Sequence, residues 1–208
     1  MESSHQQGGY HMNKILLSII VGMCCTTFAG AADKTLPRPE ALSEETIFLT
    51  EKLSPKYDTL VIKDFTADGV EYSNVNDEEK AEIDKMLPVL KANIALTLEA
   101  ELKANKVFKA IVKNDAPRDK AVILEGQFSE FNAGSRALKF FVGFGAGKAY
   151  IKFKGRLLDA ESGKELALFE DRETGYRGSM TLEGYQDLFP HQAKGIGENL
   201  AKFLINLY

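Results

Sequence analysis

Cysteine and histidine are scarce in this sequence, and their scarcity excludes several kinds of functional site. The 208 residues include two cysteines and three histidines. Cys24 and Cys25 lie in an N-terminal segment with the features of a cleaved signal peptide, so the mature chain would hold no cysteine and one histidine, His191. A chain without cysteine forms no disulfide and has neither a thiol nucleophile nor a cysteine-ligated zinc site.

Charge of either sign is also not in large excess. The formal net charge is -4 and the pI is about 5.5, which gives no overall attraction to nucleic acid or to anionic lipid. The hydrophobic fraction of 44% is ordinary for a globular protein with a core. We therefore expect no nucleic-acid partner.

The N-terminal segment from residue 12 to residue 34 has the three parts of a secretory signal in order. Lys14 supplies the positive charge, residues 15–23 form an apolar run too short to span a bilayer, and residues 29–31 are an A-x-A cleavage site. Residues 1–31 are thus predicted to be an N-terminal extension followed by a signal peptide. We expect an exported, periplasmic protein.

The alternative form of processing is acylation of Cys24, which would make the protein an outer-membrane lipoprotein. Lipidated cysteines are preceded by a small residue, whereas Met23 precedes Cys24 here. The sequence therefore favours the soluble periplasmic form over the lipidated one.

The mature chain is predicted to be a short linker followed by a single domain. Residues 32–45 contain two prolines and many charges, a composition typical of a linker or of an arm that follows the protein surface. Residues 46–208 show no repeat or low-complexity tract and are assigned to one domain. Within it, the apolar residues 59–66 predict a central strand, and residues 106–112 a second one.

Two helices are predicted from apolar residues at three- and four-residue spacing. Asn76 can cap the first, whose inward positions would include Leu90 and Leu98, and Pro88 is expected to kink or restart it. The second follows Pro190, and its inward residues are Ile196, Leu200, Phe203, Leu204 and Leu207.

Alternating polar and apolar residues predict an antiparallel meander. Residues 148–157 alternate strictly, residues 159–164 have hairpin-turn composition, and residues 121–131 alternate likewise with Val122, Leu124 and Phe128 inward. Together these elements predict an α+β fold, a mostly antiparallel sheet with helices packed on one face.

The stretch "FFVGFGAGKAY", residues 140–150, is similar to a phosphate-binding loop but lacks its defining residues. A P-loop needs a glycine where Val142 stands and a hydroxyl residue where Ala149 stands, and it opens a helix, whereas this stretch leads into a strand. We expect no cofactor. The stretch is either a loop or bulge, or an exposed hairpin that contacts a partner. The candidate partner-binding residues are Arg136, Phe141, Gly143, Phe144, Gly145, Gly147 and Lys148.

A basic strip on the alternating strand is interpreted as one side of cross-strand charge pairing. It consists of Lys148, Lys152, Lys154 and Arg156. Neighbouring strands supply acidic residues that would neutralise these charges. The predicted acidic partners are Glu125, Glu130, Glu165, Asp171 and Glu173.

No complete catalytic or metal-binding set is present in the sequence. A Ser-His-Asp arrangement would have to use His191, and no G-x-S-x-G motif positions a nucleophile. The acidic residues Glu170, Asp171 and Glu173 sit among Arg172 and Arg177, as on a salt-bridged surface strand. We predict no catalytic residue and no metal site.

The segment from residue 134 to residue 166 carries a family resemblance. A G-x-R segment, a GFGAG-like loop, an alternating strand and an Asp-x-x-x-Gly-Lys hairpin follow in that order, with matching positions Arg136, Gly143, Gly145, Gly147, Asp159 and Gly163. This resembles an uncharacterised family of bacterial exported proteins, many of them lipoproteins, described as domain of unknown function 4410. The resemblance implies a compartment and an architecture and leaves the mechanism open. Met23 before Cys24 departs from the lipoprotein members.

Three functions are compatible with these observations. The favoured one is a non-enzymatic periplasmic or outer-membrane-associated binding or assembly protein, whose partner is an envelope protein or a second copy. It would contact the membrane only if lipidated or through the glycine-rich stretch. The alternatives are a small hydrolase that uses His191 or a carboxylate, and a small-ligand carrier with a pocket between sheet and helices.

Overall fold

Seven strands and two helices make up the described part of the chain. The computed structural model describes residues 34–116, 119–134, 148–174 and 184–208. The strands are β1 (Glu44–Ile47), β2 (Thr59–Ile62), β3 (Glu71–Ser73), β4 (Ala110–Lys113), β5 (Ala121–Asn132), β6 (Tyr150–Asp159) and β7 (Glu165–Glu173). The helices are α1 (Asp77–Ala104) and α2 (Tyr185–Leu207).

The strands form one mixed sheet in the order β1-β7-β6-β5-β2-β4, and β3 also pairs with β5. Pairing is antiparallel from β1 through β7 and β6 to β5 and parallel between β5, β2 and β4. The parallel part arises because α1 carries the chain from β2 to β4, and a helical crossover returns the chain in the same direction. The predicted α+β class is confirmed, and the longest strands form the antiparallel part.

The central strand and its neighbour differ in length from the prediction. Strand β2 lies between β5 and β4 with all four residues buried, as expected of a central strand, but it ends at Ile62. Strand β4 starts at Ala110 and not at Lys106, because Lys106 and Phe108 have positive φ angles of 56° and 61°. A residue in that region of φ cannot continue a strand.

Helix α1 begins at the predicted cap and continues through its proline. The Asn76 side chain accepts a hydrogen bond from the Glu79 amide and the Glu79 carboxylate accepts one from the Asn76 amide, both at 2.9 Å, which is a capping box. The sequence predicted a kink or a restart at Pro88, and the restart is excluded, since α1 is one helix of 28 residues. Ile83, Leu90, Ile94, Leu98 and Leu102 are buried along its inner side.

Helix α2 begins at Tyr185, before the predicted start after Pro190. Tyr185 and Phe189 are buried, and the Phe189 ring centroid lies 5.4 Å from that of Phe131, so the first turns are held by packing. The predicted inward residues of the later turns are all buried. A Cβ atom at Gly197 would lie 2.7 Å from the Ile94 carbonyl oxygen, so this glycine permits the close crossing of α1 and α2.

Both helices pack on one face of the sheet, as predicted. Their buried residues join one hydrophobic cluster with the inward residues of the strands, including Phe128, Phe153 and Leu157. On the N-terminal side, Leu42 is buried and the Leu36 amide donates to the Leu49 carbonyl at 2.7 Å. The segment before β1 therefore follows the surface of the domain, and β1 itself begins at Glu44, inside the stretch assigned to a linker.

Candidate contact surface on the open face of the sheet

The side of the sheet away from α1 and α2, called the open face below, is polar over its antiparallel middle, whereas Val61, Ala121, Ile123 and Leu158 form a small buried apolar cluster at its β2 end. Register places every second residue of the antiparallel strands on this side. These residues are Glu44 and Thr46 of β1, Leu168, Glu170 and Arg172 of β7, Tyr150, Lys152, Lys154 and Arg156 of β6, and Glu125, Gln127, Glu130 and Asn132 of β5.

A cleft of about 610 Å³ lies on the open face. Its walls come from β1 and β7 on one side and from β5 and the segment after β2 on the other. The volume of this open-face cleft is within the range of small-molecule pockets, although the cleft is open to solvent along one side. Residues that line it include Glu44, Lys63, Gln127, Lys154, Arg156 and Glu170.

Two glycines that also line the cleft are paired across β5 and β6. Gly126 lies opposite Gly155, and both lie at positions that point toward the helix side of the sheet. A Cβ at Gly126 would overlap the Phe65 ring, and one at Gly155 would overlap the Phe169 ring and the Glu125 carbonyl oxygen. The two rings therefore occupy the space that side chains would fill and pack against the sheet beneath the cleft.

Part of the basic strip is neutralised by the predicted acidic neighbours. Arg156 forms ion pairs with Glu125 at 2.8 Å and Glu165 at 3.5 Å, and Lys152 pairs with Glu130 at 3.1 Å. Burial raises the pKa of Glu130, but hydrogen bonds from neighbouring side chains, Lys152 among them, outweigh it, and the pKa lies below its ordinary value. These pairs agree with a salt-bridged strand surface.

Asp171 and Glu173 were also predicted to pair with the basic strip, and this prediction is wrong. Asp171 lies opposite Phe153 and Glu173 opposite Ile151, which places both on the helix side. Asp171 accepts hydrogen bonds from the amide and hydroxyl of Ser43, and Glu173 accepts one from Asn199 at 3.0 Å. The sequence did show the alternation within β7, but the face to which each residue belongs depends on its pairing with β6.

Among the residues that the structure describes, Lys154, Glu44 and Glu170 at the centre of the cleft form no salt bridge of the kind that Arg156 and Lys152 form. Lys154 lies opposite Gln127 and Glu170, and it forms no ion pair within the described residues. Glu44 lies directly opposite Glu170 across β1 and β7, so two carboxylates adjoin. Like charges in this position are unfavourable by about 0.2 to 1 kcal/mol. The cleft thus contains a lysine and two carboxylates that a charged partner could neutralise.

Tyr150 is the first residue of β6 and lies at one end of the open face. Its hydroxyl donates to Glu130 at 2.8 Å, and the Arg172 guanidinium lies 5.3 Å from its ring centroid. Burial and the bond to Glu130 raise the pKa of Tyr150. The aromatic ring therefore has a fixed orientation beside two charged side chains.

The residues proposed from the glycine-rich stretch are only partly within the described residues. Lys148 is exposed and precedes β6 by two residues, next to the buried Ala149. The carbonyl of Ala149 accepts a hydrogen bond at 2.9 Å from the buried Gln192 of α2, which also donates to the Thr174 carbonyl at 3.1 Å. Outside the described residues lie Arg136, Phe141, Gly143, Phe144, Gly145, Gly147 and the lipidation candidate Cys24.

The residues of the hydrolase alternative are dispersed. His191 is exposed on α2, on the helix side of the sheet. Glu170 is on the open face, whereas Asp171 and Glu173 are on the opposite side, so these carboxylates do not form one set. Within the described ranges no three histidine, cysteine or acidic side chains are grouped to hold a metal. The carrier alternative places its pocket between sheet and helices, whereas the cleft lies on the other face.

Asp159, one of the positions that carry the family resemblance, holds the hairpin turn against the start of β2. Its carboxylate accepts from Lys56 Nζ at 2.7 Å, from the Tyr57 hydroxyl at 2.6 Å and from two amides of the turn at 3.0 Å. Burial disfavours the charged form, but these donors outweigh it and hold the pKa of Asp159 well below its usual range. Gly163 in the same turn has a φ of 69°, which a glycine adopts without strain.

The cleft could not be found from the sequence as a unit. Alternation identified the outward residues of β6, but Lys63 and Glu44 come from segments far apart in the chain. Their juxtaposition follows from the strand order, in which β2 lies next to β5 and β1 next to β7.

The glycine-rich and hairpin segments lie within a family match. The family described as Domain of unknown function (DUF4410) matches residues 60–179. The chain belongs to this family. The family assignment inferred from residues 134–166 is thereby confirmed. No curated protein matches the sequence significantly.

Solved structures are similar to this DUF4410 protein at low sequence identity. A PelC dodecamer from Paraburkholderia phytofirmans is 12% identical, with 77% of this chain and 95% of that one covered and a TM-score of 0.44. Protein XCC0632 from Xanthomonas campestris, of family DUF330, is 11% identical, with 72% and 84% covered and a TM-score of 0.46. A putative neuraminyllactose-binding hemagglutinin homolog from Helicobacter pylori is 12% identical, with 74% and 85% covered and a TM-score of 0.36.

Neither α1 nor α2 contains an apolar run of the length that crosses a bilayer.

Proposed function

We propose that this DUF4410 protein is a non-enzymatic binding or assembly module of the bacterial envelope and that it contacts its partner through the open face of the sheet. The observation that carries the proposal is the open-face cleft, which no described element covers and at whose centre Lys154 forms no ion pair among the described residues. The partner is an envelope protein or a second copy of the chain. Export is supported by the signal-like segment in residues 12–34.

The charges of the cleft favour a partner that is itself polar and of mixed charge. Lys154 offers a cation, and Glu44 and Glu170 offer two anions on the neighbouring strands. A partner with complementary charges would relieve the repulsion between the carboxylates and satisfy the lysine. Charge complementarity of this kind sets specificity and association rate.

The rigidity of the surface also favours binding. The floor of the cleft is a sheet whose strands β5 and β6 have 12 and 10 residues, held beneath by the rings of Phe65 and Phe169. A preformed surface loses little conformational entropy when it binds. Membrane contact belongs to the proposal only if Cys24 is lipidated or the glycine-rich stretch contacts lipid.

Site-specific photocross-linking tests the proposal. A benzophenone amino acid at Gln127 is expected to give a defined cross-linked product in the envelope of the source bacterium. The substitution Glu170→Lys should reduce that product by roughly tenfold, because it removes one of the charges offered to the partner. The matched control is Glu161→Lys, in the exposed hairpin turn away from the cleft, which should leave the product unchanged.

Two results would contradict the proposal. One is the absence of any product from Gln127 when the variant is folded and exported. The other is an equal yield from the Glu170→Lys and unmodified chains, which would mean that the charges of the cleft take no part in binding.

A further inference from the structure

Helix α1 carries a second row of apolar residues, on the side that faces solvent. Val89 and Leu96 are 53% and 57% exposed, and Ala92 and Ala100 are exposed beside them. The spacings of three, four and four residues keep the four side chains on one side of the helix. Together they are called the α1 stripe. No element of the described residues covers it.

We propose that the α1 stripe binds the α1 stripe of a second copy, with the two helices antiparallel. Antiparallel contact places Val89 of each copy opposite Leu96 of the other, with Ala92 next to the twofold axis. Small residues at the centre allow close approach, and the two larger residues on either side then pack across the interface.

The charges on either side of the stripe favour this occupant and this direction. The first turn of α1 contains Asp77, Glu78 and Glu79, and Glu82 follows, whereas Lys103 lies in the last turn. In the antiparallel register set by Val89 and Leu96, Glu82 of one copy lies opposite Lys103 of the other. Within its own chain Glu82 also accepts hydrogen bonds from Tyr185 and Gln186, and Lys103 pairs with Glu99, so the contact between copies would add to these bonds. A parallel register would place the acidic turns against each other. The helix dipoles likewise favour the antiparallel pair.

The size of the α1 stripe determines how tightly the two copies are expected to bind. Helix α1 has 28 residues and is therefore about 42 Å long, but the apolar stripe covers only its middle part. Stable dimers bury about 1,200 to 2,000 Å², so a contact of this size is expected to dissociate in the micromolar range. The stripe lies on the helix side, opposite the open-face cleft, and the two surfaces can be occupied together. This inference is therefore independent of the proposed function.

Sedimentation velocity of the full chain, from about 1 to about 200 µM, tests the dimer. A concentration-dependent shift from monomer to dimer is expected, and Leu96→Glu should weaken it at least tenfold because it buries a charge in the apolar contact. The matched control is Phe48→Glu, at another exposed apolar residue, 40% exposed and away from the stripe, which should dimerise as the unmodified chain does. A chain that stays monomeric throughout the range overturns the proposal.

Cysteine cross-linking tests the direction of the helices. In a chain with Cys24→Ser and Cys25→Ser, which has no other cysteine, Ala92→Cys lies next to the twofold axis and should form an intermolecular disulfide on mild oxidation. Ala100→Cys should not, since it lies opposite Lys85 of the other copy. Equal cross-linking of both variants would overturn the antiparallel arrangement, and so would a disulfide formed only by Ala100→Cys.

Discussion

Gly126 and Gly155 show how single residues shape the open face from beneath. Each lacks a side chain where the ring of a buried phenylalanine lies, Phe65 over Gly126 and Phe169 over Gly155. Glycine usually weakens a strand, so these positions are unfavourable unless the rings make up the lost contacts. The sequence shows two glycines in strands, and only the packing shows that both are needed.

Replacing these glycines should have unequal effects. Gly155→Ala is expected to lower the free energy of unfolding by about 2 to 3 kcal/mol, because its Cβ overlaps the backbone oxygen of Glu125 as well as a ring. Gly126→Ala meets the Phe65 ring but no backbone atom, so its cost should be smaller, about 1 to 2 kcal/mol. Urea denaturation measures both. Equal losses, or a stabilised Gly155→Ala chain, would contradict this assignment.

Among the elements, α1 shows most clearly what local sequence can and cannot specify. Its cap and its inward stripe are local features, and both were predicted and found. The sequence left a kink or a restart at Pro88 open, and packing of the buried Ile83 and Leu90 on the two sides of the proline keeps α1 a single helix. Packing also explains why α2 starts earlier than predicted, since Tyr185 and Phe189 in its first turns are buried in the core.

The capping box should contribute measurably to stability. Asn76→Ala removes the acceptor for the Glu79 amide and is expected to cost about 1 kcal/mol of unfolding free energy. Asn76→Asp keeps an acceptor at the same place and should remain within a few tenths of a kcal/mol of the unmodified chain. Denaturation curves of the two variants and the unmodified chain measure these differences in unfolding free energy. A loss in Asn76→Asp as large as that in Asn76→Ala would mean that the cap does not act through this hydrogen bond.

For the whole molecule, carboxylates join elements that are far apart in sequence. Asp159 bonds to Lys56 and Tyr57, and Glu99 of α1 pairs with Lys113 of β4 at 2.8 Å. Hydrogen bonds from Lys103 and Lys113 lower the pKa of Glu99, and the donors around Asp159 hold its pKa well below the usual range against the effect of burial. These contacts therefore require that the carboxyl groups of Asp159 and Glu99 are ionised.

Stability should consequently fall in acid. A carboxylate whose pKa is lower in the folded chain than in the unfolded one stabilises the fold above the unfolded value, and the contribution is lost as the pH falls below it. The unfolded values are 4.5 for glutamate and 3.8 for aspartate. The unfolding free energy is expected to be level from neutral pH to about pH 5 and to decline below that.

Asp159→Asn provides the test of this pH dependence. The variant should be less stable than the unmodified chain at neutral pH, and the difference should shrink as the pH falls through the acid range, because protonation removes the same charge from Asp159. Glu161→Gln, in the same turn, serves as the control and should keep the original pH profile. A difference between Asp159→Asn and the unmodified chain that stays constant in acid would contradict the assignment.

The sequence by itself determined the features that arise from neighbours along the chain. These are the α+β class, the capped helix, the alternation of β6 and the hairpin closed by Asp159, and they follow from backbone periodicity and local hydrogen bonds. Alternation also predicted that the basic strip would meet acidic neighbours, as Arg156 and Glu125 do.

Tertiary structure decided which segments lie side by side. It set the parallel pairing of β2 and β4, turned Asp171 and Glu173 to the helix side, brought Lys63 and Glu44 to one cleft and left Val89 and Leu96 exposed. The physical reason is that strand order and register are set by burial summed over the whole sheet. A two-residue or 3.6-residue period shows that a segment has two sides and does not show which neighbour each side will meet.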